Sequence, residues 1–329
     1  MISKNLSEPT QLPSFSIIVE TENLATASLD GLSSALVALE EQDISPTQAQ
    51  EVWLIEGGQV PESLLTGLQE KFPWIKVHSA PFIAHYYEAK MLGAKLCTGE
   101  IIVYCDSDCL YERHWLRMLL TPFSQNPQIQ VIAGETTTNG KGAYGLAMGF
   151  TYIFPNYSQE TALSPTSQYF LNNVAFRRKF LLDHPIPLNL PLYRGHCVIH
   201  AQKLQSLGYQ IWKQPQSRAK HAPPSDLSHF FWRFLLIGHD YYWQNQLMKG
   251  ETIVNKKENP AFGWQGKLKA FRARFTALIL DKPEHLVHLP LGIPIAIASV
   301  LLMLVGYSIT AINPKFLLTT YNQINPKNL

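Results

Sequence analysis

The chain has 329 residues, 46% of them hydrophobic and 16% charged, with a formal net charge of +2. That balance excludes a chain charged throughout for nucleic-acid binding, while the low charged share hints at a part in contact with a membrane. Four cysteines without a Cys-x-x-Cys pair exclude a disulfide-stapled scaffold and read as free thiols.

Residues 1–13 are polar, contain Pro9 and Pro13, and lack the apolar core of a signal peptide, so the bulk of the chain is expected in the cytoplasm. Phe15 to Val19 is a short apolar strand. Leu29, Leu32, Leu36 and Leu39 then recur at helical spacing. Glu51 to Ile55 predicts a second strand, and Pro61 opens a helix carrying Leu64, Leu65, Leu68 and Phe72. Ile75 to His78 predicts a third strand, and Tyr86 to Cys97 a helix stopped by Gly99. Ile101 to Cys105 is continuously apolar, as expected of a strand buried on both faces. A helix over Trp115 to Phe123 and a strand at Val131 to Ala133 follow.

This alternation predicts an α/β fold with a doubly wound, mostly parallel sheet, whose ligands bind beyond the carboxyl ends of the strands. From Gly140 to Pro191 the pattern weakens into aromatics and prolines, suited to shaping an acceptor pocket. Order returns with a helix over Val198 to Leu207, a strand at Gln210 to Lys213 and an aromatic helix over Phe230 to Leu247. Trp232, Phe234, Tyr241, Tyr242 and Trp243 read as packing, with stacking on an acceptor as the alternative. Arg177-Arg178-Lys179 reads as a solvated helix start, or else as a site for an anionic acceptor.

Leu289 to Ile312 contains no charged residue, and its 24 positions make a helix of about 36 Å, enough to cross about 30 Å of hydrocarbon. Before it, Lys267, Lys269, Arg272 and Arg274 with Phe271 and Phe275 resemble an amphipathic helix on an anionic leaflet. The basic excess predicts a single-pass helix with the N-terminal side cytoplasmic. The expected divisions are a flexible terminus at 1–13, a catalytic domain at 14–225, a helical membrane-proximal region at 226–284, a transmembrane helix at 285–313 and a short tail at 314–329.

Asp106-Ser107-Asp108 falls at the carboxyl end of the most apolar strand. Two carboxylates spaced i and i+2 on a turn suit a hard cation, Mn²⁺ or Mg²⁺, between two phosphates, or divide between metal and ribose. Cys105 and Cys109 bracket the motif. Zinc is the alternative there, but Cys105 reads more simply as a buried strand residue.

These residues carry a resemblance. Residues 15 to about 224 resemble the family 2 glycosyltransferases of the GT-A fold, a mixed doubly wound sheet. Ile17-Ile18-Val19-Glu20-Thr21-Glu22-Asn23 keeps the threonine and asparagine of the family's first loop. Glu56 stands where the second strand carries an acid, Ala89-Lys90-Met91-Leu92-Gly93 matches the following helix, and Thr98-Gly99-Glu100 leads into Asp106-Ser107-Asp108. The resemblance implies that Thr21 and Glu56 hold base and ribose, Lys90 lies near the donor phosphates, Asp106 and Asp108 hold ribose and metal, and His221 faces the metal or diphosphate. Where the family places a catalytic aspartate, this chain has Tyr193-Arg194-Gly195-His196-Cys197-Val198. His196 is therefore the candidate base, with His200 one turn along the same helix.

The expected function is inverting hexosyl transfer from a UDP- or GDP-sugar to a lipid-linked or polysaccharide acceptor. The partners are that donor, that acceptor and a membrane, with no nucleic acid. The alternative is a non-catalytic nucleotide-sugar-binding membrane scaffold. A metal-dependent nucleotidyltransferase is disfavoured, because no glycine- and lysine-rich loop follows the first strand.

Overall fold

The computed structural model describes residues 11–21, 29–58, 60–81, 84–138, 140–154, 156–250 and 272–324. Residues 1–10, Glu22, Asn23, Lys267, Lys269 and Phe271, on which expectations above fall, lie outside the described residues.

The first part alternates strand and helix. Its elements are β1 (Phe15–Glu20), α1 (Leu29–Glu40), β2 (Val52–Glu56), α2 (Glu62–Lys71), β3 (Ile75–Ser79), α3 (Tyr86–Leu96) and β4 (Ile101–Asp106). There follow β5 (Cys109–Tyr111), α4 (Trp115–Gln125), β6 (Val131–Thr138), α5 (Gly142–Thr151), β7 (Ser164–Thr166) and β8 (Asn173–Arg177). The chain continues through α6 (Arg178–Asp183), α7 (His196–Ser206), β9 (Ile211–His221) and α8 (Leu227–Leu247). The last described helices are α9 (Leu289–Ile312) and α10 (Phe316–Ile324).

One sheet runs β3-β2-β1-β4-β8-β6-β9-β5, with β7 also on β9. The pairs β3/β2, β2/β1 and β1/β4 are parallel, β4/β8 and β8/β6 antiparallel, and β6/β9 parallel. All six residues of β1 and of β4 are buried, because helices cover both faces there. One face packs Leu32, Leu36, Trp115 and Leu119 against Ile17 and Val103. The other packs Tyr86, Ala94, Phe176 and Leu204 against Ile18 and Tyr104.

The weakly patterned region at 140–191 contains α5, β7, β8 and α6. Strand β8 is a central strand between β4 and β6 that the hydropathy pattern did not announce, since five residues between a turn and the helix α6 carry too short a run. Strand β9 runs to His221, well past the expected Lys213, because its Arg218–His221 half continues alongside β6 beyond a register shift at Gly134/Glu135. The Arg177-Arg178-Lys179 cluster is tied into this frame. Arg177 donates to the carbonyls of Ile129 and Phe123 and pairs with Glu100, Arg178 donates to the Cys97 carbonyl, and Lys179 pairs with Asp183.

Residues Pro283–Ile312 form a helical stretch long and apolar enough to cross a membrane. Helix α9 packs along both α5 and α8, and α10 folds back onto α8. Close packing of α8 on α9 depends on two glycines. A Cβ on Gly306 would sit 2.0 Å from the Leu235 carbonyl oxygen, and one on Gly238 would sit 2.0 Å from that of Met303.

Candidate active site

The site gathers where β1, β2 and β4 end together. The parallel register sets Glu20 beside Asp106 and Glu20 beside Ile55, so Thr21, Glu56 and Asp106 share one sheet edge. The Thr21 N–H donates to the Ile55 carbonyl at 3.1 Å, and the Gly57 N–H donates to Thr21 Oγ1 at 3.3 Å. Glu56 Oε1 accepts from the N–H groups of Gly58 at 2.7 Å and Val60 at 3.1 Å, which shapes the turn after β2.

Asp106 is 3% exposed and held from several sides. Tyr86 Oη lies 2.9 Å from both carboxylate oxygens, and Lys90 Nζ lies 2.5 Å from one of them. Lys90 also donates to the Cys105 carbonyl, and it is fully buried. The Asp106 N–H donates to Tyr111 Oη at 2.8 Å, and Tyr111 donates onward to the Asn172 carbonyl. A buried, paired lysine orients Asp106 and does not itself front a solvent-accessible cleft. Sequence reasoning named Lys90 and missed Tyr86 and Tyr111, whose helix and strand positions read only as core.

Asp108 lies in the turn that joins β4 to β5. Its Oδ2 lies 3.4 Å from His221 Nε2. The register between β5 and β9 places His221 opposite Cys109, so Asp108 and His221, far apart in sequence, meet through one antiparallel pair. The ligand atoms of Asp108, Cys109 and His221 lie within 4.8 Å of one another. Nδ1 of His221 faces the Ala222 carbonyl at 2.5 Å, which leaves Nε2 for a ligand. Burial pushes the Asp108 carboxyl upward, opposed by the His221 imidazole, while Asp106 adds to the rise and the Arg233 guanidinium opposes it. A carboxylate and an imidazole with one open nitrogen fit a divalent cation of the Mn²⁺ type. All four cysteines are free and buried, and Cys105 is a strand residue as expected.

Residues 193–198 carry His196, the expected base. His196 begins α7 and is 5% exposed. Its Nδ1 faces the Pro187 carbonyl at 2.7 Å, its Nε2 faces the Leu192 carbonyl at 3.3 Å, and its ring stacks on Tyr87 at 4.2 Å. Burial holds its pKa below the ordinary histidine value. Both ring nitrogens are occupied by backbone. His200 is occupied likewise, by Tyr169 Oη at 2.6 Å and the His184 carbonyl at 2.8 Å, and burial pushes it down to about 4. The two histidines share a helix and have separate partners.

A carboxylate does reach this loop, from α8. Asp240 accepts from the N–H groups of Tyr193 at 2.7 Å and Arg194 at 2.8 Å. It is 5% exposed, and burial pushes its carboxyl up to about 7 against the pull of those two N–H groups, Arg233 and Arg194. The Arg194 guanidinium stands 4.5 Å from the centre of the Tyr86 ring, and Tyr86 holds Asp106. Arg233, about two turns of α8 earlier, stands 5.3 Å from the Tyr152 ring, and its Nε has no hydrogen-bond partner among the described residues. A charge in the middle of an aromatic helix was the available signal for Arg233 and Asp240. Within the aromatic cluster, Phe234 packs with Tyr152, Ile295 and Met303, and Trp232 packs with Leu235 and Tyr321, whereas Tyr241 is half exposed.

The family model described as "Glycosyl transferase family 2" matches residues 16–184, just over half of the chain. Two proteins of Caenorhabditis elegans are similar. "Probable N-acetylgalactosaminyltransferase 8" is 26% identical over 126 residues, 36% of this chain and 29% of that protein. "Probable N-acetylgalactosaminyltransferase 6" is 25% identical over 206 residues, 58% of this chain and 30% of that protein. The chain thus matches under a third of the length of either relative. Among solved structures, the mannosyltransferase PcManGT from Pyrobaculum calidifontis, in complex with GDP-Man and Mn²⁺, superposes with a TM-score of 0.52 at 14% identity, over 98% of this chain and 89% of that one. GalNAc-T7 with UDP, GalNAc and Mn²⁺ gives a TM-score of 0.51 at 15% identity, over 82% and 58%.

Proposed function

Because the chain belongs to glycosyl transferase family 2, a glycosyltransferase with the GT-A fold, we propose that it transfers a hexosyl group with inversion from a UDP- or GDP-sugar to a lipid-linked or polysaccharide acceptor. The observation that carries this reading is the convergence of Asp106, Asp108 and His221 at one strand end, beside Thr21 and Glu56. Attachment to the cytoplasmic face of a membrane through α9 belongs to the same reading.

In this proposal Thr21 and Glu56 border the nucleoside, and Asp106, fixed by Lys90 and Tyr86, receives the ribose. Asp108 and His221 hold Mn²⁺ or Mg²⁺, which supplies charge neutralisation to the leaving diphosphate. Arg233 adds a fixed positive charge on the same side. Lys90 thus acts through Asp106 instead of touching phosphate.

We assign the acceptor-side carboxylate to Asp240 in place of His196. A base must offer a lone pair, and both His196 nitrogens already face carbonyls. A carboxyl raised to about 7 is matched to proton abstraction near neutral pH. The acceptor hydroxyl oxygen bonds to the anomeric carbon as the bond to the diphosphate oxygen breaks, and the hydroxyl proton passes to Asp240. The rival reading, a non-catalytic scaffold, rests on the missing carboxylate in residues 193–198, and Asp240 answers that gap from another element.

The deciding experiment measures UDP and GDP release from a panel of nucleotide-sugars by purified protein, with and without Mn²⁺ or Mg²⁺. Metal-dependent release or metal-dependent thermal stabilisation by one donor supports the reading. Donor stabilisation without turnover on any acceptor supports the scaffold, and no metal-dependent donor binding at all overturns both.

A further inference from the structure

Resting on the membrane reading above, we propose that α9 lies flat in one leaflet with both of its ends on the side of the catalytic domain, so that its outward face is seated in lipid acyl chains and does not cross the bilayer. This replaces the single crossing that the hydropathy of residues 289–312 suggests.

The inward face of α9 is a seam of small residues. Gly292, Ser299 and Gly306 recur every seven positions, Thr310 follows one turn later, and all four are buried. Seven-residue spacing keeps them on one side of a helix. Each meets a part of the same domain. Gly292 lies against Ala143 and Leu146 of α5, and Ser299 Oγ donates to Thr151 Oγ1 at 3.0 Å. Gly306 lies against Leu235 of α8, and Thr310 Oγ1 is 3.0 Å from His239 Nδ1, whose Nε2 faces the Pro191 carbonyl. From Gly292 to Thr310 these contacts cover about 27 Å of helix, close to the roughly 30 Å thickness of a hydrocarbon core. Set upright, α9 would carry α5, α8 and the loop at Pro191 through the bilayer with it.

The chain beyond α9 gives the second constraint. It turns at Asn313-Pro314, where Trp243 Nε1 donates to the Pro314 carbonyl, and α10 returns to the domain. Leu317 and Tyr321 pack on Leu235 and Leu236, and the Tyr321 hydroxyl lies 3.2 Å from that of Tyr193. Tyr193 neighbours Arg194, which stands over Tyr86 beside Asp106. Residues following the helix therefore return to the loop at Tyr193, on the same domain that packs the start of the helix. An upright helix would deliver them to the opposite side.

Lipid is the occupant that this face fits. Leu291 is 70% exposed, Ile297 54%, Leu301 56%, Leu304 59% and Ile312 86%, so the flanks as well as the crest of the helix are apolar and uncovered. Leu227 of α8, 86% exposed, extends the same apolar character to its packing partner. A fluid acyl layer fills a convex ridge on all its sides, whereas a second protein surface meets only part of it. No Asp or Glu occurs between Glu284 and Ile324, and Lys315 stands three residues beyond the end of α9, while Lys282, seven residues before its start, donates to Asn156 Oδ1 at 3.3 Å. A lysine at the position of Lys315 reaches lipid phosphates while its stem stays among acyl chains.

The test uses the full chain in sealed vesicles of phosphatidylcholine and phosphatidylglycerol, with a membrane-impermeant maleimide added outside. Native thiols are buried, so single exposed cysteines report position: Glu284→Cys before α9, Gln323→Cys after it, and Glu70→Cys on the catalytic domain. The proposal expects the protein to float with the vesicles and all three sites to label from the same side, to within about twofold. Labelling of Glu284→Cys and Gln323→Cys from opposite sides overturns it in favour of a crossing helix. Protein that stays out of the vesicle fraction and elutes as a dimer overturns it in favour of a protein partner on this face. Donor-dependent thermal stabilisation, measured on the same samples, tests the glycosyltransferase reading separately, and its failure leaves the labelling pattern intact.

Discussion

Asp106 and Asp108 are two residues apart, yet their surroundings give them different work. Asp106 is clamped by Lys90 and Tyr86, whereas Asp108 faces His221 across the β5/β9 pair. Removing one partner of a buried ion pair leaves the other charge stranded. Lys90→Met is thus expected to cost about 3–5 kcal/mol, seen as a melting point lower by roughly 10 °C. Asp108→Ala should instead leave the fold near wild-type stability and weaken metal-dependent donor binding by at least about a hundredfold, read by calorimetry with Mn²⁺. Asp240→Asn should lower kcat by about 10²–10⁴-fold and abolish the rise in rate as pH climbs through about 7, whereas His196→Gln should keep that limb. His200 carries a stability signal. It is held down to about 4 when folded and titrates near 6.5 when unfolded, so between those values the unfolded chain binds more protons. Its contribution to stability is complete above about pH 6.5 and declines toward pH 4. The stability difference between wild type and His200→Gln should shrink across that window in urea titrations. The positions of Thr21, Glu56 and Asp106 were legible because each ends or follows an apolar strand. Tyr86, Arg233 and Asp240 were not, because their neighbours in space come from distant sequence.

At the scale of elements, strands and helices with long runs were readable and short ones were not. Strand β4 is six consecutive buried residues and declared itself, while β8 is five residues whose place between β4 and β6 comes from pairing. Strand β9 was expected only to Lys213, but its second half carries the contact that matters, because register with β5 brings His221 to Asp108. The α8–α9 contact is another product of packing. Its glycines touch backbone of the opposite helix, so Gly306→Leu forces the helices apart. The expected result is a protein with a lower melting point and with Asp240 displaced from the Tyr193–Arg194 loop. Turnover should fall while Mn²⁺-dependent donor binding at Asp108 is retained, a split readable by comparing kcat with the calorimetric affinity.

Over the whole molecule, the catalytic sheet and the apolar helix are one packed body at α5, α8 and α9, joined at Ser299, Gly306 and Thr310. Helix α8, beyond the boundary expected near residue 225, reaches back to the Tyr193 and Arg194 backbone through Asp240 and to the Tyr152 ring through Arg233. A pair of charges on the outward face, Ile297→Lys with Leu304→Lys, should reduce flotation with vesicles at least tenfold, since each lysine there is opposed by a few kcal/mol of transfer cost. Donor-dependent stabilisation should be unchanged, because neither side chain faces the site.

The sequence by itself determined the α/β layering, the strand ends that carry Thr21, Glu56, Asp106 and Asp108, and the presence of one long apolar helix. Those features are written in local periodicity and in runs of apolar residues, which depend on neighbours a few positions apart. Only the tertiary structure decided that Lys90 is spent on Asp106, that the His196 ring nitrogens face carbonyls, that α8 brings a carboxylate to the Tyr193–Arg194 backbone, and that both ends of the apolar helix return to one domain. Each of these depends on which distant segments share a desolvated space, and burial there fixes charge, proton affinity and orientation in ways that spacing along the chain does not encode.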